Sequence, residues 1–590
     1  MRFSRRNAVF LARGLSIAAV FAVMTQCNRD ASSPVAPGQR SDTGPGSNAA
    51  TTLAAPTANP GGPYAAASQT AITFDGSRSV SADGSALTYD WDFGDATEHS
   101  TGVAPTHAYL ANGVYTVSLV VTDGAGTPSA AATTTATINR PPIAVFYNAP
   151  YFGAEAQSTK MSNYGSKDPD GGTITFDWDF GDDTPHNLTS SPSHRYAQDG
   201  VYTVTLIVTD SDGAKSAPVT TTATIDNLPA ALTINGPTTA FPVDYPFSVS
   251  GAFTDPGKLD THRASIEWGD GTSVPSARLK ETSGAGTTGD MHKYAAPGTY
   301  TVSIEVTDDD GAETTATLPL TVTSAGSRQV LVGAGDIAKC TSNGDMQTAT
   351  LLDQVAGWVM ALGDNAYPNG TAEDFANCYD PVDSWGRSKG RTHPIAGNHD
   401  YYTAGAIPYY DYFGAQAGPR DLGYYSYDLG AWHIVVINSS LDVVAGSVQE
   451  KWMRADLAAT KKSCSLVMLH HPLFSSGPTG GSSKMKPVYQ AAYDLNVDLI
   501  ITAHEHVYER FKPQDPNGVV DNVRGIREFI IGTGGEGNSD KLVTPLPNSE
   551  ARYGGTTFGV IKLSLDPGSY SWQYMPAKGT FTDAGTGNCH

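Results

Sequence analysis

Between residues 113 and 121 polar and apolar side chains alternate with a period of two. Tyr115, Val117, Leu119 and Val121 fall on one face, and Thr116, Ser118 and Val120 on the other. That period predicts a half-buried β-strand, and helical periodicity is absent here. The stretch His107-Ala108-Tyr109 before Gly113-Val114-Tyr115-Thr116-Val117 returns as His194-Arg195-Tyr196 before Gly200 to Val204. It returns again as His292-Lys293-Tyr294 before Gly298 to Val302. A tryptophan segment precedes each copy: Tyr89-Asp90-Trp91-Asp92-Phe93-Gly94-Asp95, then residues 176–182 around Trp178, then a looser form around Trp268. The tryptophans recur at a domain-sized spacing, too long for a solenoid repeat.

Strand pattern and repeat length together predict three immunoglobulin-like β-sandwiches, over 57–139, 140–226 and 227–323. One histidine recurs in each (His107, His194, His292), and a structural corner residue is the expected role. From about residue 328 the texture changes. Short apolar runs at 330–332, 358–362, 434–437, 466–469, 499–501 and 529–531 read as buried strands. Helical candidates lie between them at 346–356 and 448–459, the latter opened by Ser447 with Glu450 three residues on, a capping box. Strands alternating with helices predict an α/β domain over 328–590, with chemistry on the loops at the strand ends.

Composition narrows the setting. The 590 residues exceed what a single core supports. The 37 Lys+Arg against 59 Asp+Glu leave a net charge of −22, which argues against a nucleic-acid scaffold as partner. Arg2, Arg5, Arg6 and Arg13 precede an apolar stretch from Gly14 to Met24 that is too short to span a bilayer, so 1–27 reads as a bacterial-type export signal. Residues 28–56, rich in Ser, Pro, Gly, Ala and Thr, read as a flexible linker. Cys27 is a candidate lipid anchor and the one route to a membrane. Met24-Thr25-Gln26 departs from the small residues expected before such a cysteine, so secretion and envelope anchoring both stand as readings. Export implies an oxidising compartment, in which Cys340 and Cys378 are the first pair expected to form a disulfide.

Seven residues sit at or just after the ends of apolar runs: Asp336, Asp364, Tyr367, Asn398, His470, His504 and His506. Carboxylate, amide, imidazole and phenolate donors in this mixture suit hard or borderline cations such as Fe, Mn and Zn. Asp364 has two oxygens with which to bridge two cations, and two cations clamping a phosphate would make a shared water acidic enough to attack. His399, next to Asn398, is the candidate general acid, with Asp400 as its candidate orienting partner. Gly532 to Gly537 reads as a strand-end turn near the site, because no Lys-Ser/Thr follows it. His393, His433 and His471 read as structural.

These segments resemble the calcineurin-like metallophosphoesterase superfamily, and within it the purple acid phosphatases; the sandwiches resemble PKD domains. The resemblance implies a multidomain chain in which three PKD-type β-sandwiches precede an αββα metallophosphoesterase domain. It places Asp336, Asp364, Tyr367 and His506 on a first metal, expected to be Fe(III), and Asp364, Asn398, His470 and His504 on a second, expected to be Zn, Mn or Fe(II). Ala338 stands where the superfamily commonly has a histidine, and Tyr367 fits the tyrosinate that replaces it in purple acid phosphatases. Two departures stand out: Ala503 where Gly is usual, and no clear third substrate-facing histidine between Leu473 and Lys486. The implied function is an exported phosphomonoesterase that attacks a phosphate ester with a metal-bridging hydroxide. The alternatives are a phosphodiesterase or nucleotidase with the same metal core, and a surface adhesion or glycan-binding protein with an inactive phosphatase domain, the repeats then carrying the glycan or cell-surface ligand.

Overall fold

In the computed structural model, residues 54–537, 542–555 and 558–590 are described. The expected export signal, Cys27 and all but the end of the linker lie outside them. Among the described residues no helix is long and apolar enough to cross a membrane.

Each tryptophan of the repeats is buried in a sandwich core, Trp91 and Trp178 fully so and Trp268 nearly so. In the first sandwich, Gly113–Thr122 pairs antiparallel with Thr88–Asp92, and its inward positions Val117, Leu119 and Val121 are inaccessible. The second sandwich repeats this arrangement with Gly200–Asp210 against Ile174–Asp179, and the third with Gly298–Asp308 against His262–Glu267. The recurring histidines brace these cores. Nε2 of His107, His194 and His292 lies 2.8, 2.7 and 2.8 Å from Asp95, Asp182 and Asp270, and each ring stacks on Phe93, Phe180 or Trp268. Most of the first sandwich groups as one compact unit, while its segments Ala65–Ala71 and Ala108–Val114 group with the rest of the chain.

The apolar runs after residue 328 become the parallel strands of two sheets. In the first sheet β1 (Gln329–Ala334) pairs parallel with β2 (Trp358–Leu362), and β2 with β3 (Thr392–Ile395). Antiparallel strands 559–566, 569–576 and 584–588 complete this six-stranded sheet. In the second, seven-stranded sheet β4 (Trp432–Val436), β5 (Cys464–Met468), β6 (Leu499–Thr502) and β7 (Arg527–Ile531) run parallel. Helix α1 (Gly344–Asp353) flanks the first sheet, and α2 (Val448–Ala459) and α3 (Lys486–Asp494) cover the second, giving the αββα layering.

Helix α2 occupies the predicted span, and its Ser447 cap accepts from the Glu450 amide at 3.2 Å. The Glu450 carboxylate reaches back one residue further than a capping box requires, to the amide of Gly446. Helix α1 begins two residues before the predicted span and ends three residues before its end. Two disulfides form, Cys340–Cys378 and Cys464–Cys589.

The third sandwich does not merely precede the αββα layers. Its buried residues, Phe247, Val249 and Val306 among them, form one contiguous apolar cluster with β1 and β2. Polar groups cross the same seam while fully enclosed. Arg387 pairs with Asp353 at 2.8 Å, Asp353 also accepts from Ser250 Oγ, and Arg391 donates to Ser248 Oγ at 2.9 Å. Buried cations are tolerated only when so paired, which makes this seam resemble a core more than a linker contact.

Candidate metal centre

Strand geometry collects the site. Asp336, Asp364 and Asn398 follow the carboxyl ends of β1, β2 and β3, and His470 and His504 follow those of β5 and β6, so both sheets present their C-terminal ends to one place. In α/β folds that edge is where loops carry chemistry. Asp336, Asp364 and His504 adopt left-handed backbone conformations, with φ of 59°, 51° and 71°. For residues with a Cβ such φ values cost on the order of 1 kcal/mol each, and surrounding bonds must hold them. Here the Asp336 amide donates to Gly363 O at 3.1 Å, and the His504 amide donates to Asp336 Oδ2 at 2.9 Å.

The close approach of the two sheets depends on missing side chains. A Cβ on Gly363 would fall 2.5 Å from His470 Nδ1, and one on Gly335 would fall 2.5 Å from the Ala503 methyl. The unusual alanine at 503 is therefore accommodated against a glycine in the opposite sheet.

Around Asp364 the donors converge. One carboxylate oxygen of Asp364, one nitrogen of His470 and one of His504 lie within 4.8 Å of one another. His470 Nε2 is 3.2 Å from Asp364 Oδ2, and the Tyr367 hydroxyl donates to Asp336 at 2.8 Å with Asp364 Oδ2 3.1 Å away. His506 Nε2 is 3.5 Å from Asp336 and 3.4 Å from the Tyr367 hydroxyl. The structure thus brings six of the predicted residues to one locus, and the turn that carries the seventh, Asn398, is tied to it where the His399 amide donates to Asp364 Oδ1 at 2.7 Å.

Two observations fit this donor set to cations. Asn398 Oδ1 is buried with no hydrogen-bond partner, although such atoms are normally satisfied, and the charge beside the buried His470 Nε2 is Asp364 Oδ2 at 3.2 Å. His470 Nδ1 lies 2.8 Å from the carbonyl of Leu362, the acceptor that would fix the proton there and turn a lone pair on Nε2 into the centre.

The charged groups of the site shift one another. Burial alone would raise the Asp364 carboxyl, but His470 and His399 hold it below the usual range. Burial pulls His470 down, and Asp364 outweighs it, holding the imidazole up at about 9. Burial, then the charges of Asp336 and Asp364, push the Tyr367 phenol well above its ordinary value, so a highly charged cation is what would take its proton.

His399 sits at the rim. Its Nδ1 is 2.6 Å from the carbonyl of Pro368, and its ring rests between Tyr367 and Tyr402 at 4.4 Å from each. The orienting role expected of Asp400 falls instead to that carbonyl. Asp400 is fully buried and accepts from the Gly397 amide and the Asn365 side chain, both at 2.9 Å. It shapes the turn that carries Asn398 and His399, and burial followed by the charge of Asp364 raises it to about 7.

Sequence reasoning missed Glu536. It lies in the glycine-rich turn after β7, and the turn is docked on the site because the amide of Glu536 donates to Asp336 O at 2.9 Å. Its carboxylate is 3.1 Å from His506 Nδ1 and 2.7 Å from Lys339, and so it orients the ligand imidazole from behind. The one available signal was an acidic residue inside a turn that closes a strand. His471 is also closer to the chemistry than expected. Its ring is 4.4 Å from that of His504, its Nδ1 meets Ser439 Oγ at 2.8 Å, and it lines a cavity of about 330 Å³ with Asn398, Tyr402, Ser440 and Lys484. His393, stacked on Tyr427, and His433, held between Asp428 and Asp456, are structural as expected.

The fold and the donor set define a phosphoesterase-type metal domain behind β-sandwiches, and comparison with known families agrees. The PKD domain family matches residues 53–138, 139–225 and 228–322, and the calcineurin-like phosphoesterase family matches 288–508. Purple acid phosphatase 22 of Arabidopsis thaliana is 30% identical over 168 residues, covering 25% of this chain and 36% of that one. Purple acid phosphatase 15 of the same plant is 26% identical over 271 residues, covering 38% and 48%. The solved purple acid phosphatase PPD1 from yellow lupin (Lupinus luteus) seeds aligns over 73% of this chain and 92% of its own, at 16% identity and a TM-score of 0.39. The chain spans about a third to a half of the length of the curated relatives it matches. It carries three PKD domains followed by a calcineurin-like phosphoesterase domain, with relatives among the purple acid phosphatases.

Proposed function

We propose that the protein is a metal-dependent phosphoester hydrolase acting as a phosphomonoesterase of the purple acid phosphatase type. The observation that carries this reading is the convergence of Asp364, His470 and His504, with the neighbouring Asn398 Oδ1 buried and without a hydrogen-bond partner. Asp336, Asp364, Tyr367 and His506 would hold one cation, and Asp364, Asn398, His470 and His504 the other. When bound, two such cations supply Lewis acidity and lower the pKa of water toward neutrality.

The protein's own groups do the rest. His399, with Nδ1 engaged by Pro368, keeps Nε2 for the proton that the leaving alkoxide needs. Lys484 Nζ donates to Ser439 O at 3.3 Å on the wall of the cavity beside Asn398, and so supplies the positive charge that the missing third histidine would have given. A cation there favours a doubly charged monoester over a singly charged diester.

Export belongs to the same proposal, supported by the arginine-led amino terminus and by two disulfides of the kind that persist in oxidising compartments. The sandwiches then act as a spacer or as an attachment module for a glycan or cell-surface ligand. The test compares p-nitrophenyl phosphate with bis(p-nitrophenyl) phosphate. The monoester should be the better substrate, and Lys484→Met should narrow the gap by raising KM for the monoester alone. Equal loss on both esters would remove Lys484 from the specificity account.

A further inference from the structure

A second set of convergent donors lies between the second and third sandwiches. Glu155 follows the strand Tyr151–Ala154 of the second sandwich. Asp255 and Asp260 lie on the loop joining Phe247–Thr254 to His262–Glu267 in the third. All three are buried, at 0%, 7% and 5% exposure, and each offers a carboxylate oxygen within 4.8 Å of the others.

The second observation is how their oxygens are used. Glu155 Oε1 accepts from the Leu228 amide at 2.9 Å and Asp260 Oδ1 accepts from Gln198 Nε2, yet Glu155 Oε2 and Asp260 Oδ2 are buried with no partner. These two oxygens point to the same spot. A Cβ on Gly257 would lie 2.2 Å from Asp260 Oδ2 and 2.4 Å from Glu155 Oε2. Asp255 spends one oxygen on the Gly257 amide and the other on His262, whose second nitrogen is committed to Glu281. Among the described residues no lysine or arginine pairs with any of the three. The exposed Asp309 and Asp310 continue the acidic set outward from Asp260. Burial, and then the neighbouring Asp260 and Asp255, push Glu155 up to about 7. Like charges enclosed together with unpaired oxygens are unfavourable unless something positive completes them.

We propose that Glu155, Asp255 and Asp260 form a calcium site that locks the second sandwich to the third. Calcium takes six to eight oxygen ligands at about 2.3–2.6 Å, so oxygens no more than 4.8 Å apart can surround one ion, with water completing the shell. The donors are hard oxygens, and the nearby imidazole of His262 has both nitrogens engaged, which disfavours zinc. Because the third sandwich shares a core with the phosphoesterase layers, such a lock would fix how the second sandwich carries the catalytic domain.

The test is a calorimetric titration of the calcium-free full chain, loaded with its catalytic metals, with CaCl2. One calcium should bind per chain with Kd on the order of 10⁻⁴ M, and the unfolding transition of the sandwiches should move up with calcium. Glu155→Gln combined with Asp260→Asn should weaken binding at least tenfold and abolish the shift, with phosphatase activity and circular dichroism unchanged. Asp364→Asn should leave calcium binding intact. The proposal is overturned if wild type shows neither heat nor shift, if binding survives the double substitution, or if Asp364→Asn removes it. A double variant that melts higher than wild type, with both insensitive to calcium, would mean that the carboxyls share a proton instead.

Discussion

Histidines in two regions of this chain pair with aspartates and do opposite things. In the sandwiches, His107, His194 and His292 each spend Nε2 on one aspartate and lay the ring on an aromatic neighbour. At the strand ends of the phosphoesterase layers, His470 anchors Nδ1 on a carbonyl and turns a buried Nε2 toward Asp364, whose Oδ2 is 3.2 Å away. The first arrangement closes a core; the second gathers metal-ligating groups around Asp364. Recurrence in a sequence therefore does not separate a ligand from a brace, whereas the accounting of each ring nitrogen does.

Substitutions in the two regions should diverge in what they change. His399→Ala should retain metal content and lower turnover by about 10²–10⁴-fold for alkyl phosphates, with less loss for p-nitrophenyl phosphate, whose leaving group needs no proton. Steady-state kinetics beside metal analysis would show it, and loss of metal would move His399 into the ligand set. Glu536→Gln should weaken metal binding by about 10–100-fold by releasing His506. That should appear as a lower chelator concentration for half-inactivation, and an unchanged midpoint would reduce Glu536 to a surface ion pair with Lys339. The smallest effect belongs to the brace. His194→Ala should cost the second sandwich about 1–3 kcal/mol through the lost Asp182 bond and Phe180 stack, leaving metal content and kcat alone. Calorimetry of the full chain would read it, and a change in metal content would erase the distinction between the two kinds of histidine.

How much of this was legible in the sequence follows the range of the interactions. Strands, repeats and the seven donors could be read because each depends on a local pattern: a period of two, or a polar residue closing an apolar run. The span of α2 could be read from Ser447 and its periodicity. The start of α1 could not, because Gly344 is fixed by contact with the distant Gly535, whose carbonyl would lie 2.5 Å from a Cβ there. Glu536 was hidden for a similar reason, since only folding brings its turn against His506. The seam around Arg387 and Arg391 joins residues 103 to 143 positions apart, and Glu155 meets Asp260 across a comparable separation. Nothing near either partner announces the other.

The central claim is that the Asp364 cluster holds two metal ions and that these are required for phosphoester hydrolysis. Elemental analysis of the purified full chain and of Asp364→Asn, with activity measured on the same samples, tests it most directly, because an amide has one good acceptor oxygen where two cations need two. Two metal equivalents per active wild-type chain are expected, with at most one per chain and no detectable turnover in the variant. Two equivalents in Asp364→Asn, or full activity in a wild-type sample stripped of metal, would contradict the account.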